Sequence, residues 1–250
     1  MMSGDNPIRL DLALVARGLV TTRSQARDLI LRGAVSVDGV TVVRPGMSIS
    51  DGDRIAVADG AAGWVSRGAL KLLAALDNFA FDVSGRVAVD VGASTGGFTQ
   101  VLLQRGARRV YAADVGHGQL HASLTDDPRV VDLSKCDARA LTSEHVPELV
   151  GAIVADVSFI SLTKALPAAL ALAAPGCWLV ALVKPQFEAG RAAIGKGGVV
   201  RNAADRERAL TNVRDWLVAQ SGWRVVGTLL SPIVGGSGNQ EFLLGAVRDA

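Results

Sequence analysis

The sequence predicts a two-part protein, a doubly wound α/β domain preceded by a small α+β domain, and three observations carry that expectation. Apolar runs at residues 87–91, 110–113, 152–155 and 177–183 are short, and helical stretches separate them, which is the pattern of buried parallel strands. A glycine-rich turn, Gly92-Ala93-Ser94-Thr95-Gly96-Gly97, follows the first run and leads into a helical segment at 98–104. The first sixty residues lack this alternation and read instead as helix, helix, hairpin, closed by the small-residue stretch at 59–63. The predicted boundaries are 1–60 for the small domain, 61–64 for a linker and 65–250 for the larger domain.

In the small domain, residues 10–16 form a short apolar-rich helix that stops at Gly18. Thr22 and Gln25 make a capping-box pattern that opens a second helix. Ala26, Leu29 and Ile30 share its core face, while Arg23 and Arg27, four apart, lie together on another. Beyond Gly33, two valine-rich runs flank Asp38-Gly39, which supplies the positive φ angles of a type I′ hairpin turn. A third strand is expected at 54–57. In the larger domain, runs at 223–230 and 241–247 complete the sheet.

With 49% hydrophobic and 20% charged residues over 250 positions, the chain can bury a substantial core, which excludes a disordered protein. Cys136 and Cys177 match no metal-ligand spacing and imply no disulfide framework, as suits a reducing cytoplasm. The first nine residues lack the basic-then-apolar pattern of a signal peptide. Between Lys164 and Lys184 runs an uncharged stretch as long as a membrane span, but Pro167, Pro175 and Gly176 favour a helix broken at Pro175-Gly176 and followed by a strand. No stable membrane insertion is expected, and the protein is expected to act as a monomer.

Net charge is only +2, so its distribution says more than its sum. Arg9, Arg17, Arg23, Arg27 and Arg32 face only Asp11 and Asp28 within residues 9–32, whereas the next stretch is acidic on balance. Either a solvated helix face or a footprint on phosphates fits that pattern. Residues 9–57, from Arg9-Leu10-Asp11 onward, resemble the small RNA-binding domain named after ribosomal protein S-four. The resemblance implies that Arg9, Arg23 and Arg44 grip structured RNA, with Arg17 and Arg27 in weaker roles. Guanidinium groups suit the task because they take phosphates two-pronged without reading sequence.

The glycine turn between strand and helix lets a ligand approach the backbone at the crevice beyond the strand ends. Its spacing is not that of a dinucleotide fingerprint or a P-loop. Asp114 ends the next strand, where a carboxylate can accept bonds from ribose hydroxyls, and Asp137 ends a third short segment and could face an adenine amine. Each acid alone could be a strand-end cap, and the loop alone would serve another nucleotide. The loop resembles motif I of S-adenosylmethionine-dependent methyltransferases, which makes the expected sheet Rossmann-like. That resemblance implies S-adenosylmethionine as cofactor, with Gly92, Ser94, Gly96 and Phe98 on the methionine side, Asp114 at the ribose and Asp137 by the base.

After the fourth strand the chain reads Ala155-Asp156-Val157-Ser158-Phe159, without the Asn/Asp-Pro-Pro-aromatic turn that serves ring nitrogens and exocyclic amines. Neither cysteine is placed to be the nucleophile that pyrimidine carbon methylation requires. Asp156 and Lys184 end strands at the cofactor edge, Glu241 begins the last strand, and Lys71 lies in the helix before the first strand. These four resemble the Lys-Asp-Lys-Glu tetrad of FtsJ-type ribose 2′-O-methyltransferases. The resemblance makes Lys184 the general base, Asp156 and Glu241 orienting groups (Asp156 also at the cofactor), and Lys71 a second cation that lowers the base's pKa.

Joined to the front domain, the pattern narrows to a resemblance to the TlyA family, once described as haemolysins. It rests on the stretches at 64–72, 90–107, 155–162, 182–188 and 237–242, including Asp90, Lys71, Asp156, Lys184, Glu188 and Glu241. The implied function is S-adenosylmethionine-dependent 2′-O-methylation of cytidine in 16S and 23S ribosomal RNA within assembled subunits, in the cytoplasm. Two departures bear on this. Ala61-Ala62-Gly63 precedes Trp64 where relatives often carry an arginine one position before an Ala-Trp pair, and the chain ends at Ala250 without the tail of longer members, so methylation of the large-subunit RNA alone remains an alternative. The rivals from other classes are a membrane-active haemolysin-like protein and a non-catalytic RNA-binding module. His117, His121 and His145 form no triad, although His117 follows Asp114 closely enough to touch a cofactor.

Overall fold

The computed structural model describes residues 7–20, 22–31, 33–57, 63–235 and 238–249, without the side chain of Ser24. Expectations for Arg32, for residues 58–62, which include the first two positions of the linker predicted at 61–64, for Gly236, Ser237 and the terminus at 250 lie outside the described residues. The chain divides into two compact units, Met1–Arg67 and Gly68–Ala250.

The first unit runs β1 (Ile8–Arg9), α1 (Leu10–Ala16), α2 (Arg23–Leu31), β2 (Val35–Val37), β3 (Val40–Val42), β4 (Ser48–Ile49) and β5 (Ile55–Val57). The predicted cap is made: Thr22 Oγ1 accepts from the backbone N–H of Gln25 at 3.2 Å, so one of the orphan donors of α2 is satisfied. The predicted hairpin is made too, with Asp38 and Gly39 at φ 50° and 80° and Val37 opposite Val40. β5 pairs with the other side of β2. A second, two-stranded sheet joins β1 to β4 and was not expected, because two-residue strands leave no periodicity to read. Leu10, Leu14, Leu29, Ile30 and Ile49 fill the core.

The second unit runs α3 (Gly68–Phe79), β6 (Val87–Val91), α4 (Gly97–Gln104), β7 (Arg109–Asp114), α5 (Ala122–Thr125), β8 (Val130–Ser134), β9 (Val150–Ala155), α6 (Leu162–Ala165), α7 (Pro167–Ala171), β10 (Ala173–Val183), α8 (Pro185–Glu188), α9 (Ala203–Val218), β11 (Trp223–Leu230) and β12 (Phe242–Arg248). The described strands form a seven-stranded sheet ordered β11-β12-β10-β9-β6-β7-β8. β6 to β10 are parallel, and β12 runs antiparallel to both β10 and β11. The strand order reverses between β6 and β9, so the crevice beyond their carboxyl ends is where this topology admits a ligand.

The uncharged stretch folds differently in detail from the expectation. Pro167, which has no N–H to donate, opens the short helix α7 instead of lying within a longer one, and that helix stops at Ala171. Pro175 and Gly176 then fall inside β10, in the stretch where its register against β9 shifts. The stretch is therefore spent on a helix and a buried central strand, and no helix among the described residues is long and apolar enough to cross a membrane.

One packing contact positions the site from a distance. A Cβ at Gly245 on β12 would lie 2.7 Å from the Phe79 ring, so the bare glycine lets α3 press against the sheet. That contact carries Lys71, in the same helix, over β12.

Candidate active site

The carboxyl edge of the sheet is assembled from chain turns that begin at the ends of β6, β7, β9 and β10. A cavity of about 920 Å³ opens there, walled by Gly92, Ser94, Asp114, Asp137, Asp156 and Ser158, among others. Gly92 has φ 86°, and a Cβ on it would sit 2.6 Å from the Asp156 carbonyl oxygen, so only glycine permits the close crossing of the two turns. Asp156 donates its backbone N–H to Val91 at 3.0 Å, which fixes that crossing.

Asp114 is built as an acceptor. Its Oδ2 takes the Ser94 N–H at 2.8 Å and its Oδ1 takes the Gly116 N–H at 2.7 Å. Each oxygen keeps a lone pair for a further donor such as a ribose hydroxyl. Asp137 also stands in the wall, but Arg139 clasps it through Nε at 3.0 Å and Nη2 at 2.5 Å. That bonding holds its carboxyl at about 2, so it is an anion already matched by a cation. Two of the glycine-turn expectations lie off the wall. Gly96 is packed against Leu120 and Leu124, and Phe98 is buried in α4.

The four residues of the expected tetrad come to one edge as two pairs. Val183 pairs with Phe242 across the antiparallel ladder, so Lys184 and Glu241 are the next residues on adjoining strands. Lys71 donates to Glu241 Oε2 at 2.5 Å, and both side chains are almost fully buried. Lys184 Nζ stands 2.5 Å from Asp156 Oδ1 and donates to Ser158 Oγ at 2.9 Å. The Lys184–Asp156 contact is a charge contact without hydrogen-bond alignment, so the directed bond of Lys184 goes to Ser158. Each lysine thus has a carboxylate against it.

Several residues at the site carried no role in the sequence reading. Phe159 stands in a left-handed conformation at φ 66°, is 92% exposed and tilts against Phe187 with ring centroids 5.3 Å apart, at the cavity wall. Glu188 ties two walls together: it accepts from Ser161 Oγ at 2.6 Å and from the Leu162 N–H at 2.8 Å, and burial pushes its carboxyl up. Asp90, on β6 just before the glycine turn, is fully buried, accepts from Thr99 Oγ1 at 2.7 Å and has an Oδ1 with no partner among the described residues. Burial pushes it up to about 7.

Of the two cysteines, Cys177 is buried within β10 with its thiol pushed up to about 12, and Cys136, at the cavity, is also raised by burial. Neither offers a thiolate near neutral pH. His121 caps α5 by accepting the Ser123 N–H, a structural task.

In the other unit, Arg9 and Arg23 both bond Asp11, while Arg27 and Arg44 are exposed. Arg17 spends its guanidinium on the carbonyls of Asp53, Ser50 and Asp51, at 2.6, 3.0 and 3.2 Å, and so braces a turn.

A glycine turn at the switch point of such a sheet, an acid ending the neighbouring strand and two lysine–carboxylate pairs on the same edge define the class, and residues 64–248 match the FtsJ-like methyltransferase family. Those enzymes use S-adenosylmethionine. Residues 8–55 match the S4 domain. The 16S/23S rRNA (cytidine-2′-O)-methyltransferase TlyA of Mycobacterium tuberculosis is 49% identical over 94% of this chain and 88% of its own length. Hemolysin A of Brachyspira hyodysenteriae is 41% identical over 94% of this chain and 98% of its own. A solved structure from Streptococcus thermophilus, described as a candidate hemolysin, has a TM-score of 0.73 and 40% identity, covering 98% of this chain and 90% of that one. The chain belongs to the TlyA family of S4-domain, FtsJ-like methyltransferases.

Proposed function

We propose that the protein methylates the 2′-hydroxyl of cytidine in 16S and 23S ribosomal RNA within assembled subunits, using S-adenosylmethionine, and that it works in the cytoplasm where those subunits are. The observation that carries the reading is Lys184, held at 2.9 Å from Ser158 and 2.5 Å from Asp156, two residues that line the cavity, with no activated thiol nearby. Bound S-adenosylmethionine supplies an electrophilic methyl on a sulfonium. The cavity fits it: Gly92 clears the backbone, Ser94 and Asp114 present polar atoms, and the volume is that of a small-molecule cleft.

In this reading Lys184 receives the ribose proton, and Asp156 and Ser158 hold the ammonium that results. Lys71 acts by holding Glu241, and with it the start of β12, beside Lys184. Positioning supplies most of the acceleration. Arg9, Arg23, Arg27 and Arg44 dock the RNA, and Arg17 shapes the turn next to them. The names of the relatives include both a ribosomal RNA methyltransferase and a hemolysin. The uncharged stretch favours the first, since it is spent on a short helix and a buried central strand.

The test is incubation with tritiated S-adenosylmethionine and separately purified small and large ribosomal subunits, followed by mapping of ribose methylation. Label at a cytidine 2′-oxygen in both RNAs is the expected result. Label confined to the large subunit narrows the substrate, and label on a base removes the Lys184 reading.

A further inference from the structure

Among the described residues of the first unit, Asp11 is the one buried charged side chain, and an isolated anion there would weaken any surface meant for phosphates. Its surroundings show what it does instead. Arg9 approaches two-pronged, Nε to Oδ1 at 3.0 Å and Nη2 to Oδ2 at 3.1 Å, and Arg23 adds Nε to Oδ2 at 3.0 Å. The Asp11 side chain is 0% exposed, while those of Arg9 and Arg23 are 47% and 51% exposed. The carboxylate thus lies beneath two guanidinium groups that remain open to solvent, and the trio keeps a net charge of +1.

Three segments fix this arrangement. The Asp11 N–H donates to Pro45 at 3.1 Å and the Leu10 N–H donates to Met47 at 2.8 Å, which seats the turn that carries Arg44 beside the start of α1. A Cβ on Gly46 would lie 3.1 Å from Arg9 Nη1, so this turn also packs against the guanidinium. α2 brings Arg23 in from the other side. Free arginines lose rotamer freedom when they meet RNA, whereas these two have lost much of it already in the folded protein.

We propose that Asp11 is a positioning residue for RNA docking: its buried carboxylate sets the spacing and orientation of the Arg9 and Arg23 forks, which together take backbone phosphates of the ribosomal RNA. The proposal rests on the reading that this unit docks RNA. It also makes a prediction opposite to bulk electrostatics. Asp11→Asn adds one positive charge to the surface, so an unordered basic patch would bind RNA more tightly, whereas a positioned pair would bind it less well.

The experiment measures filter retention of purified large ribosomal subunits by the full-length protein across a salt series. Four proteins are compared: wild type, Asp11→Asn, Asp11→Glu and the double variant Arg9→Ala/Arg23→Ala. Circular dichroism and thermal melting report folding. Asp11→Asn is expected to bind about tenfold more weakly, with the slope of log K against log salt shallower by about one, as follows when the protein engages one phosphate fewer. Asp11→Glu keeps the charge but displaces the forks by a methylene, and is expected to lose affinity as well, which covers the case in which Asp11→Asn does not fold. Wild-type or tighter binding by folded Asp11→Asn, or wild-type binding by Asp11→Glu, overturns the positioning role while a weakened double variant leaves RNA docking intact. A double variant that binds like wild type overturns the docking reading, and the proposal with it.

Discussion

Two lysine–carboxylate pairs stand at the same sheet edge with the same 2.5 Å separation, and their surroundings differ. The side chains of Lys71 and Glu241 are 5% and 3% exposed, and those of Lys184 and Asp156 are 11% and 24% exposed. In the first pair both charges have left water, so each is a liability without the other. In the second the carboxylate faces the cavity and the ammonium has a hydroxyl neighbour in Ser158, so the pair can exchange a partner or a proton without exposing a bare charge in the core. Separation therefore does not define role. Access to the cavity does, and the tetrad divides into a closed brace and an open working pair.

The largest effect expected from that division is on turnover. Lys184→Ala should lower the rate of methyl transfer by roughly 10²–10⁴-fold, the range for removal of a general base. Binding of S-adenosylmethionine by calorimetry, and of subunits by filter retention, should change little. Turnover near wild type would break the comparison at its most important point, because the open pair would then have no chemical task.

Stability should respond to the other pair. Glu241→Ala leaves the Lys71 ammonium buried and unmatched, at a cost of about 3–5 kcal/mol. Asp156→Ala leaves Lys184 its bond to Ser158 and should cost about 1–3 kcal/mol, less than the loss at the other pair. Urea unfolding of the two variants gives the difference directly as midpoints with a common slope. Equal midpoints would mean that both pairs are braces. A double change of Lys71 to Met with Glu241 to Gln should recover part of the loss, since it removes the orphaned charge.

The edge itself was legible in the sequence because strand ends are legible. Apolar runs end at Val91, Ala113, Ala155 and Val183, within a residue of the observed strand ends, so Gly92, Asp156 and Lys184 could be placed on one rim. The division into pairs was not legible. It depends on the antiparallel register that sets Glu241 beside Lys184, and on the packing of Phe79 against Gly245 that carries Lys71 over β12. Both are long-range packing facts with no local signature. Asp11 was counted merely as a charge opposing arginines, because a sequence shows that an acid is near bases but not that it is beneath them. Phe159 stood in the quoted turn after β9, yet nothing in composition says that an aromatic residue will be held out in solvent at a positive φ. Asp90 had a readable signal, an acid inside a strand otherwise made of valine and alanine, a pattern that points to burial on both faces.

Asp90 sharpens the comparison because it is a carboxylate of the same neighbourhood that has no cation. It bonds only the Thr99 hydroxyl among side chains, and burial, with Asp156 and Asp114 adding repulsion, moves it from 3.8 up to about 7. The folded state therefore holds this proton after the unfolded chain has released it. Stability from this group is fully present below about pH 4, falls as pH rises toward 7, and then levels off at a loss of at most ~4 kcal/mol. Asparagine has nearly the same shape and does not titrate. Asp90→Asn should therefore melt close to wild type at pH 4 and above it by several degrees at pH 8, at roughly 2–4 °C per kcal/mol for a domain of this size. A constant difference in Tm across that range would show that Asp90 is ionised in the folded protein. It would then need a cationic partner, as the two lysine-bound acids have.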